Sequence, residues 1–293
     1  MENTRYEFSP IITRKAFKLP NQAKVAFWVG INVEYFGMEA TEFGGVGGFK
    51  TSPPNVHDYA PRDYGNRIGI WRLMTLLDKH EIKASVLLNS DICIHYPIII
   101  DECKKRRWEF LGHGTSNAVL LNGMSEAEER KVIKTTLDVI TESTGERPRG
   151  WLGPALQETF NTPDILAEEG IKYLCDWVCD DQPFPMKVKK GTLISIPYSV
   201  DLNDIPAFIV HHLTPRQFHD MIIDQFDTLY EEGSDQARVM CLALHPFLIG
   251  QPYRIRWLDK ALEYIKGNKK VWFATAGDIA GWYYENHMGM KME

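Results

Sequence analysis

Hydrophobic and polar positions along the chain fall into two alternating kinds of block. Residues 24–33 (KVAFWVGINV) are a continuous, β-rich apolar run, the pattern of a strand buried on both faces. A polar, glycine-rich stretch follows over 37–66, and residues 68–80 then place apolar side chains at helical spacing. Strand-like runs return at 83–89 and 108–113, on either side of a helical segment at 96–107. A long helix opens at Ser125: Ser125 and Glu128 make a capping box, Glu126 and Glu129 suit the N-terminal dipole, and Gly145 supplies the C-cap. Further strands are predicted at 147–153, 171–177, 193–199, 207–210, 237–246 and 270–275. Further helices are predicted at 162–170, 214–233, 252–267 and the C-terminal end.

Strands that alternate with helices of about ten or more residues predict βαβ units and a parallel sheet. Six to eight such units with no low-complexity linker predict an α/β fold, a single distorted (β/α) barrel over 23–287. Residues 1–22 form an N-terminal arm whose apolar residues lack an obvious core role, which fits a docking segment. The whole of 1–293 is expected to be one catalytic domain.

Composition narrows the function. With 44% hydrophobic and 25% charged residues the chain is globular. Its 33 basic and 39 acidic residues give a net charge of −6 with no basic block, which argues against nucleic acid. No run of about 18 apolar residues exists, so no membrane partner is expected. An N-terminus with Glu2 and no apolar core is unlike a signal peptide, and five cysteines, an odd number, suit reduced thiols. Both point to the cytoplasm.

In such barrels chemistry sits at the C-terminal ends of the strands. Asn32 and Glu34 end the first strand on one face, and Glu34 there suits a general base with a raised pKa or a metal ligand. His113 and Asn117 follow the third strand, four residues apart, and both can ligate a divalent cation. His245 ends the strongest strand, where it can polarise a carbonyl or protonate a leaving nitrogen. Asp176, at the end of 171–177, is placed to orient His245 as a buried Asp orients a catalytic His. Trp151 and Trp177 would wall a small planar ring. Arg67, near the start of the 68–80 helix where it does not help the dipole, would contact a carbonyl.

The pieces GINVE, GHGTSN, RGWLGP, CDWVCDD and LALH, in that order, resemble the polysaccharide deacetylase (NodB-type) superfamily over nearly the whole chain. YGNRIGIWRL, GWLGPALQETFNTPDILAEEG, DLND (201–204) and LHPFLIGQPYRIRWLDKALEYI are similar to its allantoinase-like branch, which includes bacterial cyclic imide hydrolases. The resemblance implies a hydrolase that opens a cyclic imide or ureide ring at an amide C–N bond to give a half-amide. Its alternatives are an allantoinase, an N-deacetylase of a sugar polymer, or a barrel that only binds ligand. It also implies a homo-oligomer, a tetramer, and a divalent metal, zinc foremost, at Glu34, His113 and Asn117. Here Glu34 is the one acid where the deacetylases carry two adjacent Asp, Asn117 replaces their second His, and GWLGP replaces their Arg-Pro-Pro-Tyr. A weakly held metal or metal-free catalysis by Glu34 follows from those departures.

Overall fold

In the computed structural model, which describes residues 2–39 and 52–292, nine strands form one sheet. They are β1 Val25–Val33, β2 Ala84–Leu88, β3 Glu109–Gly112, β4 Gly150–Trp151, β5 Tyr173–Leu174, β6 Phe184–Met186, β7 Leu193–Ser195, β8 Arg238–Leu244 and β9 Val271–Phe273. The order β6-β7-β5-β4-β3-β2-β1-β8 is parallel except at the β6–β7 edge, and β9 pairs with the first half of β1. Between strands come α1 Val56–Tyr64, α2 Ile70–Lys79, α3 Ser90–His95, α4 Pro97–Lys105, α5 Glu126–Thr144, α6 Thr162–Glu168, α7 Pro215–Glu232, α8 Pro246–Ile249, α9 Pro252–Lys266 and α10 Ala276–Asn286. The sheet curls into the expected distorted barrel. Its seam is drawn together where the Val239 and Ala243 N–H groups of β8 donate to the Asp181 and Leu202 carbonyls.

β1 shows why the sequence folds this way. Val25, Phe27, Val29, Ile31 and Val33 pack outward with residues of α2, α7 and α9. Ala26 and Trp28 join an inner cluster with Leu87, Leu111, Tyr198 and Ala243, closed at one end by α10. Period-two alternation therefore carries Asn32, and Glu34 beyond it, into the barrel interior. The capping box at Ser125 and the left-handed Gly145 (φ 85°) bound α5 as predicted.

Four readings change. Residues 207–210 are part of a helical turn over Pro206–Val210, not a strand; four apolar residues after a proline do not distinguish the two. Within the connection at 37–66, a helix capped by the Asn55 side chain already runs over Val56–Tyr64, while 40–51 lie outside the described residues. The edge strand β6 went unpredicted. Phe17, Leu19 and Ala23 are buried in the inner cluster, so the latter part of the N-terminal arm and its junction with β1 pack against their own barrel.

Candidate active site

Glu34, His113, Asn117 and His245 meet at the C-terminal mouth of the barrel. Glu34 Oε1 lies 3.6 Å from His113 Nε2 and 3.5 Å from His245 Nε2, and it accepts a 2.5 Å hydrogen bond from Asn117 Nδ2. Glu34, His113 and His245 are 8%, 2% and 3% exposed, so the centre is screened from bulk water.

Each imidazole is held at Nδ1, which fixes its tautomer and turns Nε2 inward. His113 Nδ1 donates to the Leu152 carbonyl at 2.7 Å, and its Nε2 has no hydrogen-bond partner. His245 Nδ1 donates to Asp204 Oδ1 at 2.6 Å. The Asp204 carboxylate also accepts the backbone N–H groups of His245 and Ile249. Asp204, not Asp176, therefore orients His245. Sequence reasoning passed over Asp204 because it follows an irregular stretch after β7 and ends no strand. The signal was there: an acid set directly before the apolar run Ile205–Val210.

The charges follow from these contacts. Burial alone would raise the Glu34 pKa, but the attraction of His245 and the nearness of both imidazoles bring it down to about 2. Glu34 is thus an anion, with its pKa lowered and not raised as the apolar strand suggested. Burial would lower the His245 pKa, yet Glu34 and Asp204 on its two sides push it up to about 9. His245 is an imidazolium at neutral pH.

Asn89 settles how Asn117 faces. Its Oδ1 accepts the Tyr35 N–H at 2.9 Å, so its Nδ2 must point the other way, where it donates to the His113 carbonyl and to Asn117 Oδ1. Asn117 accordingly presents N–H, not carbonyl oxygen, to Glu34. The anticipated metal trio of Glu34, His113 and Asn117 does not fit a cation, because one of its three members offers a donor where a lone pair is needed. Among the described residues, no group of three or more His, Cys, Asp or Glu side chains is arranged to hold a metal ion.

The predicted walls lie elsewhere. Trp151 is fully buried against Ile133, Leu137, Ile165 and Leu166, under α5 and α6, because its neighbours on the strand, not Trp151, point inward. Trp177 is half-buried, donates to Glu158 and packs edge-on against Tyr6. Arg67 is exposed and within 3.8 Å of Asp63; the helical segment begins at Val56, so Arg67 is not at a helix start. Arg62, one turn earlier, is the partly buried guanidinium: it pairs with Asp58 and covers the ring of Phe36, with Phe247 nearby.

A carboxylate between two imidazoles at the mouth of an α/β barrel is an arrangement suited to general acid–base chemistry. Comparison with known proteins narrows the class. The polysaccharide deacetylase family pattern matches residues 61–174. A putative polysaccharide deacetylase of Schizosaccharomyces pombe is 27% identical, over 77% of this chain and 75% of its own. Among solved structures, the Puue allantoinase superposes with a TM-score of 0.86 at 28% identity, covering 94% of this chain and 95% of that one. A probable polysaccharide deacetylase from Pseudomonas aeruginosa superposes at 0.83 and 28%, covering 92% and 94%. The chain thus carries the polysaccharide deacetylase pattern over residues 61–174 and is similar over most of its length to deacetylases and to an allantoinase.

Proposed function

We propose that the protein opens the ring of a small cyclic imide or ureide, adding water to a ring carbonyl and releasing the half-amide. The observation that supports this most is the pair of imidazoles turned toward one carboxylate oxygen from opposite electrostatic settings. His113 rests on a neutral backbone carbonyl and offers a free Nε2 lone pair, whereas His245 is held charged between Glu34 and Asp204. Imidazoles held in such different settings divide base and acid work between them.

Water held between Glu34 Oε1 and His113 Nε2 gives its proton to His113 as its oxygen bonds to the carbonyl carbon. Nε2–H of His245 donates to the carbonyl oxygen as negative charge develops there, then supplies the proton that the ring nitrogen takes when the C–N bond breaks. The new carboxylic acid gives its proton back to His245 as it becomes a carboxylate, and His113 releases the proton it took from water to solvent. Glu34 keeps both imidazoles in place and His245 charged. Asn117, donating to Glu34, fixes that carboxylate's rotamer.

The burial of the three groups favours a compact ring over a sugar polymer, and the likeness to an allantoinase over 94% of the chain favours the same substrate class. Deacetylases of the family generally use a metal; the arrangement around Glu34 supports a route by side chains alone. Turnover of succinimide, phthalimide, allantoin and N-acetylglucosamine oligomers, each measured with and without chelator, tests this. Hydrolysis of the imides in chelator is the expected result. Turnover confined to the sugar oligomers, or binding of imides without hydrolysis, would overturn it.

A further inference from the structure

Asp176 has no contact with His245, yet it is a buried carboxyl, 8% exposed, whose Oδ2 has no hydrogen-bond partner. Its Oδ1 accepts the Gly153 N–H at 2.7 Å. The other end of that same peptide group is the Leu152 carbonyl, which accepts His113 Nδ1–H at 2.7 Å. One peptide unit is thus gripped at its N–H by a carboxyl and at its C=O by the imidazole.

We propose that Asp176 is a positioning residue for His113, acting through the Leu152–Gly153 peptide group. Hydrogen bonds in series polarise one another. Negative charge at the N–H end strengthens the carbonyl as an acceptor, which holds His113 in its Nδ1–H tautomer and raises the basicity of the inward Nε2. The two histidines are then each backed by an aspartate, His245 directly and His113 through one amide. Gly153 is what permits the approach: a Cβ there would lie 3.0 Å from Asp176 Oδ1 and 2.6 Å from the Gln157 carbonyl.

The surroundings of Asp176 suit a tuning role. Burial pushes its pKa up to about 7, against the Gly153 hydrogen bond that lowers it. The titratable groups beside it are Glu158, itself raised by burial and by Asp176, and the buried Cys175 thiol, raised for the same reasons. Both forms of Asp176 are therefore populated near neutrality, and the backing of His113 is strongest above that range.

The kinetic consequence rests on His113 being the base, but the coupling does not, and ring-nitrogen NMR of the full chain separates the two. In the wild type the His113 ring signals should show, besides their own titration, a second inflection where Asp176 titrates. Asp176→Asn keeps an acceptor for the Gly153 N–H and removes the charge. It should abolish that inflection, lower kcat/KM for the imide roughly tenfold and move the acid limb of its pH profile to lower pH. Identical His113 titration in the two proteins, or lost activity with the His113 signals unchanged, would overturn the proposal. Should Asp176→Asn not fold, a wild-type titration without the second inflection does so alone. Failure of imide turnover with the NMR coupling intact would reject the reaction and leave the relay standing.

Discussion

His245 and Asp204 are joined twice: Nδ1 of the ring lies 2.6 Å from Oδ1, and the His245 backbone N–H lies 2.9 Å from Oδ2 of the same fully buried carboxylate. The second bond ties the orientation of the ring to the end of β8. The first makes Asp204 one of the two anions that keep His245 charged.

Stability should therefore depend on pH in a defined window. The folded pKa of His245, about 9, lies above its ordinary 6.5, so its contribution is complete below 6.5 and lost as pH rises through 9. The folded pKa of Glu34, about 2, lies below its ordinary 4.5, so its contribution is complete above 4.5 and lost as pH falls toward 2. Denaturant unfolding should give a plateau between these limits and an alkaline decline on the order of 3 kcal/mol. Asp204→Asn should flatten that decline and lower kcat by about 10² to 10⁴. An alkaline limb unchanged in Asp204→Asn would contradict the pairing.

Glu34→Gln removes the charge shared by both imidazoles while keeping size. Imide turnover should drop by roughly 10² or more, and circular dichroism should show the fold intact. Near-wild-type rates would leave Glu34 without the role assigned to it.

Asn117 faces Glu34 as a donor, so extended dialysis against chelator should leave imide turnover within about twofold of its starting value. Asn117→His would place an imidazole lone pair where the N–H now stands and should raise zinc affinity, measured by calorimetry. Activity lost in chelator and restored by added Zn²⁺ or Mn²⁺ in the wild type would refute the side-chain route.

Trp151 and Arg67 should separate packing from binding. Trp151→Ala is expected to destabilise by about 3–5 kcal/mol, with KM of the surviving fraction little changed. Arg67→Ala, at an exposed position, should alter stability by no more than about 0.5 kcal/mol and leave KM alone. A large rise in KM from either would return that residue to the substrate.

What the sequence disclosed was what periodicity encodes. Alternation along β1 put Asn32 and Glu34 on one face, and strand ends located His113 and His245. Contacts between remote irregular segments carry no such period, so Asp204 went unseen and its task fell to Asp176, which happened to end a strand. Trp151 was misplaced for a narrower reason: strand ends were identified without asking which face each residue takes, although Leu152, its neighbour, packs inward. Asn117 illustrates a third limit. Its position was legible, but which end of its amide faces Glu34 is decided by Asn89 and the Tyr35 N–H, groups that no spacing rule links to it.

The triad of Glu34, His245 and Asp204 holds two negative charges against one positive. A neutral ring enters such a centre without electrostatic penalty, but opening the ring creates a carboxylate within a few ångströms of Glu34. Once His113 has released its proton to solvent, like-charge repulsion drives the product outward, and reclosure of the ring requires that acid to be protonated first. On the proposed reading, the excess anion at the mouth of the barrel acts as an ejector that gives the reaction its direction inside the site.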